Sequence, residues 1–118
     1  MRQIESSLQQ SCVKWFDLQH GRYKMLLYSH PNEGARTIAN GSRMKAQGRR
    51  AGVADMFFAF PNSENHGLYI EFKTDKGKQN ENQINFELAV KAKGYGYVVV
   101  RSFEEFKEVI EKQVNLIL

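Results

Sequence analysis

Gly52-Val53-Ala54-Asp55-Met56-Phe57-Phe58-Ala59-Phe60, followed after a polar break by Leu68-Tyr69-Ile70-Glu71-Phe72-Lys73, is the stretch that decides the fold. The apolar run stops at Pro61-Asn62-Ser63-Glu64-Asn65-His66-Gly67, a cluster of turn-forming residues, and a second β-prone run begins at Leu68. Two such runs around a turn predict an antiparallel hairpin. Positions 55 and 71 are equidistant from residue 63, inside the turn. Closing the hairpin therefore sets Asp55 within about one register step of Glu71, where facing Cβ atoms lie about 4.5–5.5 Å apart. Residues two apart on a strand share a face, so Glu71 and Lys73 project side by side. The result is two carboxylates beside an ammonium.

That set suits phosphodiester hydrolysis. Two carboxylates and a main-chain carbonyl, for which Phe72 between Glu71 and Lys73 is the natural donor, offer the hard oxygen ligands that Mg²⁺ (or Mn²⁺) prefers and leave positions for water and a phosphate oxygen. Lys73 is placed to orient that water or to stabilise charge growing on the phosphate. The plainer alternative is a strand-end aspartate and a solvated ion pair. Against it, Glu71 and Lys73 lie in a run rich in Leu, Tyr, Ile and Phe, where charges are unusual unless used.

Outward from the hairpin, Ile4, Leu8, Cys12, Trp15 and Phe16 recur close to every fourth residue and predict an amphipathic helix over residues 3–19, ended at Gly21. Lys24–Ser29 reads as a short strand, His30 to Gly34 as a loop, and residues 35–47 as a helix interrupted at Asn40-Gly41. After the hairpin, Asn80 or Asn82 caps a helix running to about Lys93, with Gly94 at its C-terminal stop. Tyr97-Val98-Val99-Val100 predicts a strand covered on both faces, and Ser102 caps a last helix with the apolar stripe Phe103, Phe106, Val109 and Ile110. The order predicts an α/β fold, a mixed sheet flanked by helices.

The chain's 118 residues suit one domain, residues 1–118, with 17 Lys+Arg against 13 Asp+Glu for a net charge of +4. That balance favours an anionic partner. Arg43, Lys45, Arg49 and Arg50 precede Asp55, and Lys76 and Lys78 follow Lys73, so all six are candidates for phosphate contacts. No helix-turn-helix, zinc-finger or aromatic RNA-binding motif accompanies them, which favours contacts to a phosphate backbone over reading of base sequence. His20, His30 and His66 lack metal-ligand spacing. Cys12, the one cysteine, excludes an internal disulfide and falls on the apolar stripe of the first helix. No apolar run approaches the roughly 18 residues of a membrane span, and the start lacks a signal-peptide core. These features lead us to expect a protein of the cytoplasm.

The ordered series Glu5-x-x-x-Gln9, Pro31-Asn32-Glu33-Gly34, Gly48-Arg49-Arg50-Ala51-Gly52-Val53-Ala54-Asp55, His66-Gly67-Leu68-Tyr69-Ile70-Glu71-Phe72-Lys73, Gln83, Gly94-Tyr95 and Arg101-Ser102-Phe103-Glu104-Glu105 resembles a stand-alone virus-type replication-repair nuclease (VRR-NUC) domain, of the PD-(D/E)xK nuclease superfamily. The resemblance spans almost the whole chain. It implies a restriction-endonuclease-like fold, Asp55, Glu71 and Lys73 as the catalytic set, and Glu5 and Gln83 near the metal; Asn32 and Glu33 suit either the same cleft or an ordinary Pro-Asn turn. It further implies a structure-selective endonuclease acting on branched DNA such as four-way junctions, working as a homodimer. A flap, nicking or restriction-type nuclease and a non-catalytic DNA-binding accessory protein are the alternatives on this fold. The apolar Val114, Leu116, Ile117 and Leu118 at the terminus suit either a subunit interface or packing on the chain's own core. Ala54 stands where the family usually has proline.

Overall fold

The computed structural model describes residues 2–30 and 38–116, so Asn32 and Glu33, and Ile117 and Leu118 at the terminus, lie outside the described residues. The elements are α1 (Arg2–Gln19), a 3-10 helix (Gly21–Leu26), β1 (Leu27–Ser29), α2 (Ile38–Ala46), β2 (Met56–Phe58), β3 (Leu68–Phe72), α3 (Glu81–Lys91), β4 (Gly96–Val100) and α4 (Phe103–Asn115). The sheet order is β1-β2-β3-β4, with β1 and β3 antiparallel to β2 and β4 parallel to β3. The parallel step needs a crossover, and α3 supplies it.

The hairpin register sets the layers. Met56 pairs with Ile70 and Phe58 with Leu68, and these four, with Phe72 and Val100, are buried on one face of the sheet. Cys12 and Phe16 of α1 and Phe106 and Ile110 of α4 are fully buried against that face. Phe16 meets Phe58 edge-on with ring centroids 5.3 Å apart, and Phe72 stacks on Phe106 at 6.0 Å. Burial pushes the Cys12 thiol up to about 12, which leaves it an inert core residue. Val114 also packs against this core. The odd-numbered residues of β2 and β3 face the other way, toward α3, whose Phe86 lies 5.0 Å from Tyr69 and 6.3 Å from Tyr97.

The chain departs from the sequence expectation in three places. Lys24–Leu26 wind into the 3-10 helix and only Leu27–Ser29 extend, because β2 offers three residues to pair with and Tyr23 packs instead on Phe60 at 4.9 Å. Asn40-Gly41 is accommodated within α2, since one glycine weakens a helix by only about 1 kcal/mol. β4 is an edge strand whose Val98 and Val99 are half-buried, so its two faces are covered only in part.

Elsewhere the punctuation holds. Asn80 caps α3 and Ser102 caps α4. Gly94, at φ +91, closes α3 through its own N–H to Lys91 O and the Tyr95 N–H to Val90 O, the paired bonds of a Schellman stop. The hairpin turn is tied to α4 by the buried Gln113, whose amide donates to Phe60 O and to Asn65 Oδ1, both at 2.7 Å. Gly52 has φ +87, and a Cβ there would sit 2.3 Å from the carbonyl oxygen of Asn82. That close approach presses the segment leading to Asp55 onto the start of α3. Gly52→Ala is therefore expected to destabilise the fold by about 2 kcal/mol or more, from backbone strain plus the collision. Urea unfolding measures it, and an unchanged midpoint would show that the segment shifts freely.

Candidate active site

Asp55 sits one residue before β2, and extending the register of Met56 with Ile70 puts it opposite Glu71. The ladder has ended there. In place of a main-chain rung, the Asp55 carboxylate accepts the Phe72 N–H through Oδ2 at 2.7 Å. A strand residue presents its N–H and C=O along the same edge, so the Phe72 carbonyl is directed to the Asp55 side of β3.

Glu71 projects from the α3 face and is only 3% exposed. Its Oε2 accepts a 2.9 Å bond from Gln83 Nε2 and lies 3.7 Å from Lys73 Nζ. Its Oε1 is buried and has no hydrogen-bond partner. Burial, then the Asp55 charge, push the Glu71 carboxyl up to about 8, with Lys73 partly offsetting them and Glu5 adding to the rise.

Gln83 does two things at once. Its main-chain N–H donates to Asn80 Oδ1 and its Oε1 accepts the Asn80 N–H, both at 2.9 Å, which makes a reciprocal cap. The remaining amide nitrogen reaches Glu71. The cap that starts α3 therefore aims the group that holds the carboxylate.

Glu5 of α1 accepts the Thr74 N–H at 3.3 Å, which brings the first helix to the loop after β3. Gln9 lies a turn further on and lines a groove along α1 with Ser6, Val13 and Leu18. The basic candidates differ in exposure. Arg43, Lys45, Arg50, Lys76 and Lys78 are exposed, whereas Arg49 is half-buried, with Nη1 donating to Met44 Sδ at 2.7 Å and Nη2 buried without a partner.

Three further residues shape the site. Arg101 donates to the carbonyls of Thr74 and Gly77, both at 2.7 Å, and staples the loop that follows Lys73. Thr74 carries a buried hydroxyl without a partner. His30 donates its N–H to Asp55 O at 2.8 Å, and its ring Nδ1 lies 3.1 Å from Ala54 O. Their sequence separations from Asp55 and Glu71 follow no motif of spacing, so only the tertiary fold reveals them.

Among the described residues no group of three His, Cys, Asp or Glu side chains gathers closely enough to hold a metal ion. The oxygens that meet where β2 stops are two carboxylates and a main-chain carbonyl. They fit a hard cation that keeps several waters, and the unpartnered Glu71 Oε1 is an acceptor waiting for a positive charge.

The VRR-NUC domain family model matches residues 1–104. The chain belongs to the VRR-NUC family. It is a nuclease domain of the PD-(D/E)xK type acting on DNA, and nucleases of this type generally use divalent metals. A solved VRR_NUC domain protein has the same fold, with a TM-score of 0.83 at 20% identity, covering 96% of this chain and 89% of that one. No curated protein matches the chain. Among the described residues no helix is long and apolar enough to cross a membrane.

Burying Glu71 has a consequence for stability. A carboxyl whose folded pKa, about 8, lies above its ordinary 4.5 contributes fully below the lower value and loses that contribution as pH rises toward the upper one. Glu71→Gln removes the titration and keeps an acceptor for Gln83. In metal-free buffer the variant is expected to unfold like the parent near pH 4 and to gain about 1–3 kcal/mol on it by pH 8. Calorimetric melting against pH is the check, and parallel curves would refute the burial argument.

Proposed function

We propose that the chain is a metal-dependent endonuclease selective for branched DNA such as four-way junctions. The observation that carries this reading is the meeting of Asp55, Glu71 and the Phe72 main chain where β2 stops, with Glu71 Oε1 buried and unpartnered. Asp55, Glu71 and the Phe72 carbonyl would hold Mg²⁺ or Mn²⁺. Bound there, the cation would supply Lewis acidity at a phosphate oxygen and lower the pKa of water.

The chain's own residues do the rest. Lys73 stands on the Glu71 face, 13% exposed in its side chain, and offers its ammonium to the charge that develops on the phosphate. Gln83 fixes the Glu71 carboxylate in one orientation. Glu5 acts from α1 through the Thr74 main chain. Arg43, Lys45, Arg49, Arg50, Lys76 and Lys78 draw in the DNA backbone without reading its sequence. Resolving a four-way junction takes two incisions across a twofold axis, which a symmetric homodimer supplies from two copies of one site.

Asp55→Asn, Glu71→Gln and Lys73→Ala are each expected to lower cleavage of a four-way junction about 100-fold or more, while metal-free binding to the same DNA stays within a few-fold of the parent. Parent-like cutting by any of the three defeats the assignment. A panel of duplex, flap, splayed and four-way DNAs with Mg²⁺ or Mn²⁺ tests the substrate. Preferred cutting of flaps moves the function to a flap nuclease.

Affinity should fall steeply with salt, since side chains that neutralise phosphates release counterions. Joint replacement of Arg43, Lys45, Arg49 and Arg50 by Ala is expected to reduce the log–log salt slope by roughly one for each phosphate no longer neutralised. A slope that does not move would show that this segment faces away from DNA. Light scattering across micromolar concentrations reads the subunit state, and a persistent monomer that still makes paired symmetric cuts would sink the dimer.

A further inference from the structure

The face of the sheet that carries Asp55 and Glu71 carries a second row of side chains. Tyr28 pairs with Phe57, Phe57 with Tyr69 and Tyr69 with Tyr97, so one aromatic row crosses all four strands. The next row on the same face, two residues along, extends the same register through His30, Asp55, Glu71 and Val99. Two residues of strand span about 7 Å. The aromatic row therefore lies one short step from the carboxylates, on their own surface.

The rings touch. Phe57 and Tyr69 have centroids 4.4 Å apart, Tyr28 lies 6.0 Å from Phe57, and Tyr95 lies 5.9 Å from Tyr69. His30 stacks nearly parallel to Tyr69 at 6.5 Å, with an interplanar angle of 21°. The Tyr28 and Tyr95 phenols are close enough to that of Tyr69 to raise its pKa, after burial. Phe86 of α3 covers the Tyr69 and Tyr97 end of the row. At the other end Tyr28 stands 46% exposed, with Phe57, Tyr69 and Tyr95 half-buried.

The opposite face, shielded by α1 and α4, carries buried apolar side chains such as Phe58, Ile70 and Phe72. This one carries rings with polar tips, left partly open beside the nuclease carboxylates, in a chain of net charge +4. The geometry points to a stacking platform for unpaired bases of the DNA strand whose backbone lies at Asp55 and Glu71. Stacking on phenol and imidazole faces tolerates any base, and it discriminates against intact duplex, whose bases are already stacked on each other. The platform rests on the nuclease reading and deepens it, because bases are unpaired at the branch points and ends of DNA.

The test uses the whole chain in EDTA, which removes cleavage from the measurement. Fluorescence anisotropy compares a labelled single-stranded thymidine oligonucleotide with a blunt duplex of equal length. Tyr28→Ala is expected to weaken single-strand binding roughly 10-fold and to leave duplex binding within about 2-fold, with Tyr28→Phe restoring the parent value. The salt slope should not change, since the same phosphates stay neutralised. Tyr95→Ala provides a second variant, with its melting temperature measured alongside.

Equal weakening on both DNAs, or none on the single strand, overturns the platform. So does a Tyr28→Ala variant that turns a dimer into a monomer by light scattering, because the row would then be an interface between copies. The nuclease reading is tested separately by nicking of supercoiled plasmid in Mg²⁺. A parent protein that nicks nothing defeats that reading, while the anisotropy result still decides whether unpaired bases bind the row.

Discussion

The hydrogen bond from the Phe72 N–H to the Asp55 carboxylate is the constraint on which the site depends. It stands where the β2–β3 ladder would have continued, so it uses a side chain to end the pairing while keeping the strands in register. Slipping the hairpin by one residue would turn Glu71 and Lys73 into the α1/α4 core and bring Ile70 and Phe72 out. Burial of Ile70 and Phe72 against Phe16 and Phe106 opposes that slip, because two large apolar side chains would leave the core for the opposite face. The hydrophobic layer on one face of the sheet thereby sets the chemistry on the other.

That chemistry carries an internal conflict. A carboxyl 3% exposed, facing Asp55 and with one oxygen unpartnered, has only Lys73 and a single amide to favour its charged form, and burial and Asp55 outweigh them. The surrounding structure makes this tolerable by spreading the load. Gln83 is locked by the reciprocal cap with Asn80, and Arg101 occupies the carbonyls of the loop that carries Thr74. The same groups that cannot all be satisfied in the metal-free protein form a set that a divalent cation would complete.

The hairpin, its register and the pairing of Asp55 with Glu71 were legible because turn residues and a two-residue period act locally. So were α3 and α4, whose Asn80, Ser102 and Gly94 mark their ends by side-chain chemistry and a positive φ. Lys24–Leu26 misled because their β-like composition was overridden by the length of the partner strand, a tertiary fact. Gln83 was visible as a polar residue in the first turn of a helix, but its reach to Glu71 depends on how α3 crosses the sheet. Arg101 and Thr74 touch across 27 positions of sequence, and no periodicity encodes such a pairing. The aromatic row was hidden for a related reason, since Tyr28, Phe57, Tyr69 and Tyr97 look like ordinary strand residues until the four strands are aligned.

The alanine at position 54, next to the site aspartate, can be understood in the same terms. Ala54 is fully buried, and its carbonyl oxygen lies 3.1 Å from the His30 ring nitrogen. A proline would keep that carbonyl and fix the preceding backbone, so what alanine gives up is conformational restriction and not a hydrogen bond. The restriction is recovered nearby. Gly52 is held at φ +87 against the Asn82 backbone, and from the other side the His30 main-chain N–H donates to Asp55 O at 2.8 Å. With the chain pinned on both sides of position 54, the approach of Asp55 to Phe72 does not depend on a proline ring.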